Sequence, residues 1–226
     1  MSTRNTALRL ATALAVAAAA ARSAGAQAWN HPSFQQPTVV GREFNFGVAD
    51  GGNAGTSFLF QWREGISPVN QLSLDVGLAD PDCFGCDSEF LLGGQFAHQL
   101  ARANAQMPFD FLLTAGLNGA FGNDNTVLRV PVGVSVGHRF PLQGGMAITP
   151  YVHPRVSIDY CSQCIDDSGD KGKSDVNLNF DLGANFELTP QFALRASLKL
   201  GGSNDLFFDD DALGISLAWT PPGLRR

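Results

Sequence analysis

The sequence predicts an all-β protein, a closed antiparallel transmembrane β-barrel of about ten strands, with eight strands as the alternative count. Apolar and polar residues alternate along most of the chain, which is the pattern of strands with one apolar and one polar face. Several alternating runs reach the roughly 9–11 residues that a membrane-spanning strand needs. Clusters of Gly, Pro, Asn and Asp separate these runs and predict turns.

Residues 175–200 show the alternation most clearly. Two alternating arms meet at Thr189-Pro190, so this segment is predicted to form one long hairpin. One face of both arms is apolar, while the other face carries charges of both signs. A transmembrane barrel explains this surface, because lipid contacts the apolar face and the polar face lines the lumen.

The N-terminal residues have the layout of a secretory signal peptide. Arg4 and Arg9 give a positive start, residues 10–21 form a short apolar run, and Ala26-Gln27-Ala28 supplies a small-x-small cleavage site. We therefore expect cleavage after Ala28, with a signal peptide at residues 1–28 and one barrel domain at residues 29–226. A retained amphipathic anchor is the alternative.

The predicted mature chain is acidic. Residues 1–28 hold three of the 15 basic residues and none of the 21 acidic ones, so residues 29–226 carry a formal charge of −9. This charge argues against nucleic acid as a partner. The polar stretch at residues 29–37 is predicted to be a short lead-in to the first strand.

Strands one to five are each predicted from one apolar face. Strand four has the weakest alternation, because Leu91 falls on its polar side. The outward side chains are Val40, Phe44, Phe46 and Val48 in strand one, Phe58, Phe60 and Trp62 in strand two, Leu72, Leu74, Val76 and Leu78 in strand three, Phe90, Leu92 and Phe96 in strand four, and Phe109, Phe111, Leu113, Ala115 and Leu117 in strand five.

Strands six, seven and ten complete the wall, with the two hairpin arms as strands eight and nine. Pro150 and Pro154 lie on the outward side of strand seven, and proline has no backbone N–H to give to a ladder. We therefore expect strand seven to be locally interrupted or bulged. The outward side chains of the three strands are Val130, Val132, Val134 and Val136, then Ile148, Val152, Val156 and Ile158, then Leu213, Ile215, Leu217 and Trp219.

An even number of strands places both chain ends on one side of the membrane, and the longer acidic loops on the other side assign the ends to the periplasm. In these features the chain resembles the small outer-membrane β-barrel proteins of Gram-negative bacteria, a class that includes the OmpA-like and OmpW-like barrels. The resemblance covers the signal peptide and the mature chain, and it rests on pattern without a family motif. It implies an outer-membrane location. One departure is that Trp219 is followed by further residues, whereas many such proteins end at an aromatic residue.

All four cysteines lie in two C-x-x-C pairs on predicted outer loops, Cys83 with Cys86 and Cys161 with Cys164. An oxidising periplasm favours disulfides, and we expect one within each pair. Cross-loop disulfides and a four-cysteine zinc site are the alternatives. A thioredoxin-like redox role lacks its fold context. No metal site is assigned, and no cofactor is expected.

A set of charged or titratable side chains is predicted to face the lumen. These residues could line a narrow pore that selects small solutes. Barrels of about eight strands have just enough interior for side chains to fill, so a plugged lumen with paired charges is favoured. The predicted lumen charge network is Glu43, Arg63, Asp75, Glu89, Asp110, Arg129, His153, Arg155, Asp159, Asp181, Glu187, Arg195 and Lys199.

His153, Ser157 and Asp159 share the inward face of strand seven, which raises the question of a hydrolase. Alternate residues of a strand lie about 6.6 Å apart, so His153 and Ser157 would be roughly 13 Å apart. That distance is too long for a hydrogen bond between a nucleophile and its base. No catalytic residue is assigned, and we expect the protein not to be an enzyme.

Aspartates crowd the predicted outer loops. Their carboxylates suit Ca²⁺ or Mg²⁺, which also bridge lipopolysaccharide phosphates, although solvated acidic loops are the default interpretation. The expected partners are outer-membrane lipid and lipopolysaccharide, with no nucleic acid, and the expected state is a monomer. The loop aspartates are Asp80, Asp82, Asp87, Asp166, Asp167, Asp170, Asp205, Asp209, Asp210 and Asp211.

These patterns predict an integral outer-membrane β-barrel with a structural or narrow-pore role. Two other classes stay open: an outer-membrane enzyme, either lipid-modifying or a protease, and a soluble secreted barrel or sandwich that holds a ligand.

Overall fold

The computed structural model describes residues 31–51, 55–81, 88–122, 126–165, 171–201 and 211–222, without the side chains of residues 164 and 165. Ten long strands account for most of this part of the chain. The strands are β1 (Arg42–Asp50), β2 (Thr56–Gly65), β3 (Asn70–Asp80), β4 (Glu89–Ala101), β5 (Asp110–Phe121), β6 (Thr126–Gly137), β7 (Ala147–Ile165), β8 (Lys171–Glu187), β9 (Phe192–Gly201) and β10 (Ala212–Trp219). A two-residue strand, Phe140–Pro141, and a 3₁₀ turn, Gln143–Gly145, lie between β6 and β7.

The ten strands form one closed antiparallel barrel. Each strand pairs with the next in sequence, and Phe140–Pro141 adds two pairs to the start of β7. The first and last strands close the wall, with Phe44 opposite Trp219 and Asp50 opposite Leu213. The two aromatic rings of the first pair stack with their centroids 5.5 Å apart. The prediction of an all-β, closed, ten-stranded barrel is confirmed, and the alternative of eight strands is not what forms.

Residues 175–200 form the predicted hairpin, as most of β8 and all but the last residue of β9. Leu194 lies opposite Phe186 on the apolar face, and Lys199 lies opposite Asp181 on the polar face. The turn closes through Leu188 N–H and Thr189 N–H, which donate to Phe192 O over 3.0 and 3.2 Å. Thr189 Oγ1 accepts a second bond from Phe192 N–H at 3.0 Å, so a side chain holds the turn that its sequence predicts.

The prolines of β7 interrupt the ladder locally, on one side of the strand only. Pairing between β7 and β8 runs without a break through Pro150 and Pro154. On the other side, toward β6, the pairs resume in the same register after a gap opposite Pro154. Proline lacks one backbone N–H, and the loss is confined to the side that faces β6. The bulges lie elsewhere, at Gln99–Ala101 and between Cys161 and Ile165.

The barrel has an apolar outer face and a buried polar inner face. Burial alternates from residue to residue along the strands, as in β10, where buried and exposed positions follow each other strictly. Among the described residues no helix is long and apolar enough to cross a membrane. Exposed outer side chains include Phe46, Phe58, Leu78, Leu117, Val130, Val156, Ile158, Val176, Leu194, Leu213 and Ile215.

Candidate functional site: a lumen closed by the N-terminal segment

The lumen changes character along the barrel axis. We call the end where β1 begins and β10 ends the terminal end, and the opposite end the loop end. Near the loop end several inward side chains form an apolar cluster, and Leu91 on the inner face of β4 belongs to it. This apolar layer consists of Phe34, Leu59, Ala79, Leu91, Ala120, Val127 and Cys161. Toward the terminal end it gives way to a layer of polar and charged side chains.

The first polar cluster centres on Glu43. Its carboxylate accepts two hydrogen bonds from Arg195, over 2.8 and 2.6 Å, and a third from Arg63 Nη1 over 3.1 Å. All three side chains are almost completely buried. Asn185 Oδ1 accepts from Arg195 Nε at 2.9 Å, and Gln61 Oε1 accepts from Arg63 Nη2 at 3.2 Å. One carboxylate therefore neutralises part of the charge of two guanidinium groups.

The second cluster centres on Asp181. Arg155 Nη2 donates to Asp181 Oδ1 over 2.8 Å, and His153 Nδ1 lies 3.6 Å from the other carboxylate oxygen. Ser33 Oγ donates to that same oxygen over 2.8 Å and lies 2.8 Å from His153 Nδ1. Thr114 Oγ1 lies 2.9 Å from His153 Nε2, so both nitrogens of the imidazole are bonded.

A third cluster joins β6, β7 and β8. Arg129 donates twice to Asp159, over 2.8 and 2.5 Å, and both side chains are fully buried. Asn177 Nδ2 also donates to Asp159, over 2.5 Å. The pair is bidentate and bonded by a third strand, the arrangement that best offsets the cost of burying two charges.

The remaining members of the predicted network lie around these clusters. Lys199 is fully buried, opposite Asp181 in the sheet. Asp75 lines a small cavity in the polar layer. Near the terminal end, Asp110 accepts from Ala103 N–H at 2.9 Å. There too, Glu187 binds Arg139, and this hydrogen bonding raises the pKa of Arg139 above its ordinary value. Glu89 is half-buried at the first residue of β4.

The N-terminal segment, residues 31–41, enters the barrel, which the sequence did not predict. The prediction that Val40 is an outward strand residue is wrong, because β1 begins at Arg42 and Val40 lines a cavity at the terminal end. Residues nearer to the N terminus contact the barrel wall farther from the terminal end. Pro37 contacts the terminal end, where its carbonyl accepts from Gln99 Nε2 at 3.0 Å. Ser33 reaches the middle of the lumen at Asp181, and His31 lines a cavity with Asp75. Residues 31–37, called the plug below, therefore fill the axis of the polar layer.

The barrel wall satisfies the backbone of the plug with its side chains. The carbonyl of Ser33 accepts from Arg63 Nη2 at 3.1 Å, and the carbonyl of Gln35 accepts from Ser135 Oγ at 2.7 Å. Asp181 Oδ2 accepts from Ser33 N–H at 3.2 Å. Because the plug has no strand partner of its own, these hydrogen bonds take the place of a β-ladder. They offset the free-energy cost of burying the backbone polar groups of the plug.

Phe34 fixes the plug by filling a space that two glycines leave open. Its side chain is completely buried among β1 and β10. A Cβ added at Gly214 would lie 2.5 Å from Phe34 Cζ, and one at Gly47 would lie 3.2 Å from Phe34 Cε2. These inward glycines are the sequence signal that could have pointed to an occupant of the lumen.

A Gly214→Ala change should therefore push Phe34 out of its place. We expect faster hydrogen–deuterium exchange at the backbone amides of Ser33 and Val39, while the strand amides stay protected. Gly94→Ala is the matched control, because a Cβ there meets nothing nearer than 3.7 Å. Equal exchange in the two variants would contradict this packing role of Gly214.

Two cavities are notable in the described lumen. One, of about 20 Å³, lies in the polar layer next to His31, Asp75 and Arg155. The other, of about 470 Å³, forms a vestibule at the terminal end, lined by plug residue Gln36 and by Arg102, Arg139, Glu187 and Thr220 among others. The larger space thus stops at the plug.

Ser33, His153 and Asp181 carry the residue types of a catalytic triad without its arrangement. In a triad the serine bonds one imidazole nitrogen and the carboxylate bonds the other. Here Ser33 Oγ and Asp181 approach the same nitrogen, Nδ1, and the Ser33 hydroxyl donates a hydrogen bond to Asp181. Ser157, the serine considered from the sequence, is buried on β7. The Ser33 cluster is suited to holding the plug.

Several predicted features lie outside the described residues. Cys83, Cys86 and the side chain of Cys164 are among them, as are most of the loop aspartates and residues 1–30. Cys161 is fully buried and is not a free thiol. The second cysteine pair was predicted on an outer loop, but residues 161 and 164 belong to β7. Disulfide pairing within each C-x-x-C pair, cation binding by the aspartates and the signal peptide stay predictions.

Comparisons with known proteins concern the fold alone. No protein-family model and no curated protein matches the chain. The β domain of the Bordetella autotransporter BrkA is similar with a TM-score of 0.45 and 12% identity, over 80% of this chain and 98% of that chain. Acinetobacter baumannii outer membrane protein Omp33 gives a TM-score of 0.37 and 11% identity, over 82% and 100%. Outer membrane phospholipase A from Escherichia coli gives 0.36 and 8%, over 82% and 98%. None of these similarities carries a site residue or an activity to this chain.

Proposed function

We propose that this chain is an integral outer-membrane β-barrel protein with a structural role, whose lumen is closed by its own N-terminal segment. The observation that carries this proposal is the continuous apolar outer face of a closed barrel. Ile158, Phe58 and Val176 expose 60% or more of their surface, and they belong to a band that surrounds the wall. In water such a band would be a large exposed apolar patch, whereas in lipid it is the expected surface.

Aromatic side chains at both edges of the band support this setting. Phe109, Phe140, Phe186 and Trp219 lie on the outer face near the terminal end, and Phe58, Phe90, Phe121 and Tyr160 lie near the loop end. Along β5, Phe111 and Phe121 are ten residues apart. With roughly 3.4 Å per residue and a tilt near 40°, this spacing gives a height of about 26 Å, close to the apolar band of outer-membrane barrels.

The plugged lumen favours a structural role over an open pore. An ion entering the polar layer would have to separate Glu43 from Arg195 or Ser33 from Asp181, and it would then meet the apolar layer. Breaking buried ion pairs costs several kcal/mol. A narrow-pore role therefore requires the plug to leave.

We propose that the protein is not an enzyme, because His153 and Asp181 are buried and both are engaged in hydrogen bonding with Ser33 of the plug. As partners we propose outer-membrane lipid and lipopolysaccharide, with the chain as a monomer. The periplasm is the proposed side of the terminal end.

Fractionation of cells that produce the protein tests the membrane location. We expect recovery in the outer membrane, extraction only by detergent, and faster gel migration before boiling than after. Recovery in the soluble periplasm without detergent would contradict the proposal and favour a soluble barrel.

A charge on the outer face gives a second test of the lipid setting. Leu117→Arg, near the middle of the band, should lower the free energy of unfolding in lipid vesicles by about 2–4 kcal/mol. Leu142→Arg, at a turn of the terminal end, should cost about 0–1 kcal/mol. Leu117 and Leu142 are 57% and 49% exposed, so a protein surrounded by water would tolerate both changes equally. Urea titration of the refolded variants measures the difference.

A further inference from the structure

One ion pair of the described residues lies on the outer face of the barrel. Arg42 and Glu64 are opposite each other where β1 begins and β2 ends, and the next outward pair along these strands is Phe44 with Trp62. The side chains of Arg42 and Glu64 are 43% and 25% exposed. The other ion pairs of the described residues line the lumen or its vestibule.

This pair lies just outside the apolar band. Two residues of a strand tilted by about 40° cover roughly 5 Å along the barrel axis, so the charges lie about that far beyond Phe44 and Trp62. Aromatic side chains of membrane proteins are enriched at the level of the lipid headgroups. In the membrane of the proposed function, Arg42 and Glu64 are therefore among the charged groups of the lipid.

An apolar groove begins beside the ion pair. It has a volume of about 380 Å³, and its lining includes Trp62, Glu64, Leu72, Gly94 and Phe96. Leu72 is paired with Glu64 on one side and with Phe96 on the other, so the groove crosses three strands. Gly94 leaves its place on the outer face empty, because an added Cβ would meet nothing nearer than 3.7 Å. The volume is at the lower end of the range for ligand pockets, about 300–1,000 Å³, and suits part of one acyl chain.

The ion pair can bind a ligand that carries both charges. Arg42 Nε and Nη2 donate to Glu64 over 2.6 and 2.9 Å, which leaves Arg42 Nη1 without a hydrogen bond to the described residues. A carboxylate has about four lone-pair sites, and Arg42 and the indole of Trp62 use only part of them at Glu64. A phosphate can thus accept from Arg42 while an ammonium donates to Glu64. A headgroup with a net negative charge fits less well, because Glu64 repels the additional charge.

We propose that the Arg42–Glu64 pair and the groove together bind one phosphatidylethanolamine molecule of the periplasmic leaflet. Its phosphate accepts from Arg42, its primary ammonium donates to Glu64, and one acyl chain lies in the groove between Trp62 and Gly94. The proposal rests on the membrane setting of the proposed function. It adds a lipid that is held at one place on the wall, beside β1, β2, β3 and β4.

Quenching of Trp62 fluorescence by brominated lipid tests the proposal, because Trp62 lines the groove and the bromine atoms quench on contact. The chain has three tryptophans, so the mature protein with Trp29→Phe and Trp219→Phe keeps Trp62 alone. This protein is refolded into vesicles of phosphatidylethanolamine and phosphatidylglycerol in equal amounts, with bromine on the chains of one lipid at a time. We expect a binding ratio at Trp62 of about five in favour of phosphatidylethanolamine.

Two variants of this protein separate the groove from the charges. Gly94→Leu fills the groove, and Arg42→Gln combined with Glu64→Gln removes both charges but leaves the groove. Each should bring the binding ratio at Trp62 to about one. A ratio of about five that persists in either variant overturns the proposal.

A single tryptophan at position 186 is the matched control. Phe186 is on the outer face of β8 near the terminal end, and its partners in the neighbouring strands are Leu194 and Ile148, which carry no charge. Phe186→Trp, with the three native tryptophans replaced by Phe, should give a ratio of about one.

Two results separate this site from its membrane setting. Equal ratios at positions 62 and 186 overturn the lipid site, although the barrel is still in lipid. Absence of quenching by either lipid at both positions contradicts the membrane setting itself, and with it the proposed function. Gel migration before boiling shows that each variant forms the barrel.

Discussion

Removal of residues 29–37 should convert a barrel that conducts no ions into one that does. The deletion takes away the segment that fills the polar layer and joins the vestibule of about 470 Å³ to the lumen above it. It also removes Phe34 from the apolar layer, to which Leu59 and Leu91 also belong. In planar bilayers we expect no channel steps from the intact mature protein and discrete steps from the deletion variant.

A synthetic peptide covering residues 29–37 provides the control for this experiment. Added to the deletion variant from the terminal side, the peptide should reduce the current, and a peptide with Phe34→Ala and Ser33→Ala should do so only weakly. Conductance by the intact protein, or silence of the deletion variant, would contradict the role of the plug and leave a purely structural barrel.

Glu43→Ala should cause the largest loss of stability of any single lumen change. It leaves two buried guanidinium groups, those of Arg63 and Arg195, without their shared carboxylate. Breaking a buried pair by removal of one partner typically costs about 3–5 kcal/mol. The free energy of unfolding in lipid vesicles, measured by urea titration, should fall by an amount in this range.

Glu64→Ala is the matched control for Glu43→Ala. Glu64 binds Arg42 through two hydrogen bonds at 2.6 and 2.9 Å, but both side chains are partly open to solvent. Solvated ion pairs contribute little, so this change should have a much smaller effect. Similar losses in the two variants would show that the lumen cluster contributes no more to the free energy of unfolding than a surface ion pair does.

The sequence predicted the wall because each strand has its own alternating pattern. The positions of all ten strands and the two faces of the hairpin follow from a period of two, which is local information. The inward direction of residues such as Arg129 and Asp181 follows from the same period. The predicted interruption at Pro154 affects one side of β7 only, because proline lacks a single N–H.

The partners inside the lumen could not be predicted in this way. Glu43 and Arg195 are 152 residues apart, and their contact depends on closure between β1 and β10. The plug was missed because residues 29–37 have no period and contain Pro32 and Pro37, which is typical of a linker. Binding of the plug depends on its fit against Gly47 and Gly214 and on hydrogen bonds from side chains of several strands, among them β2, β4 and β6.

The plug and its binding site belong to one chain, and only residues 38–41 separate the plug from β1. A tether this short holds a segment at an effective concentration in the millimolar range. A free competitor would therefore need either a comparable concentration or a higher intrinsic affinity to replace it. A partner that binds residues 38–41 at the vestibule and pulls on them would open the lumen more easily. Such a partner acts on the tether directly and does not compete with the plug for its binding site.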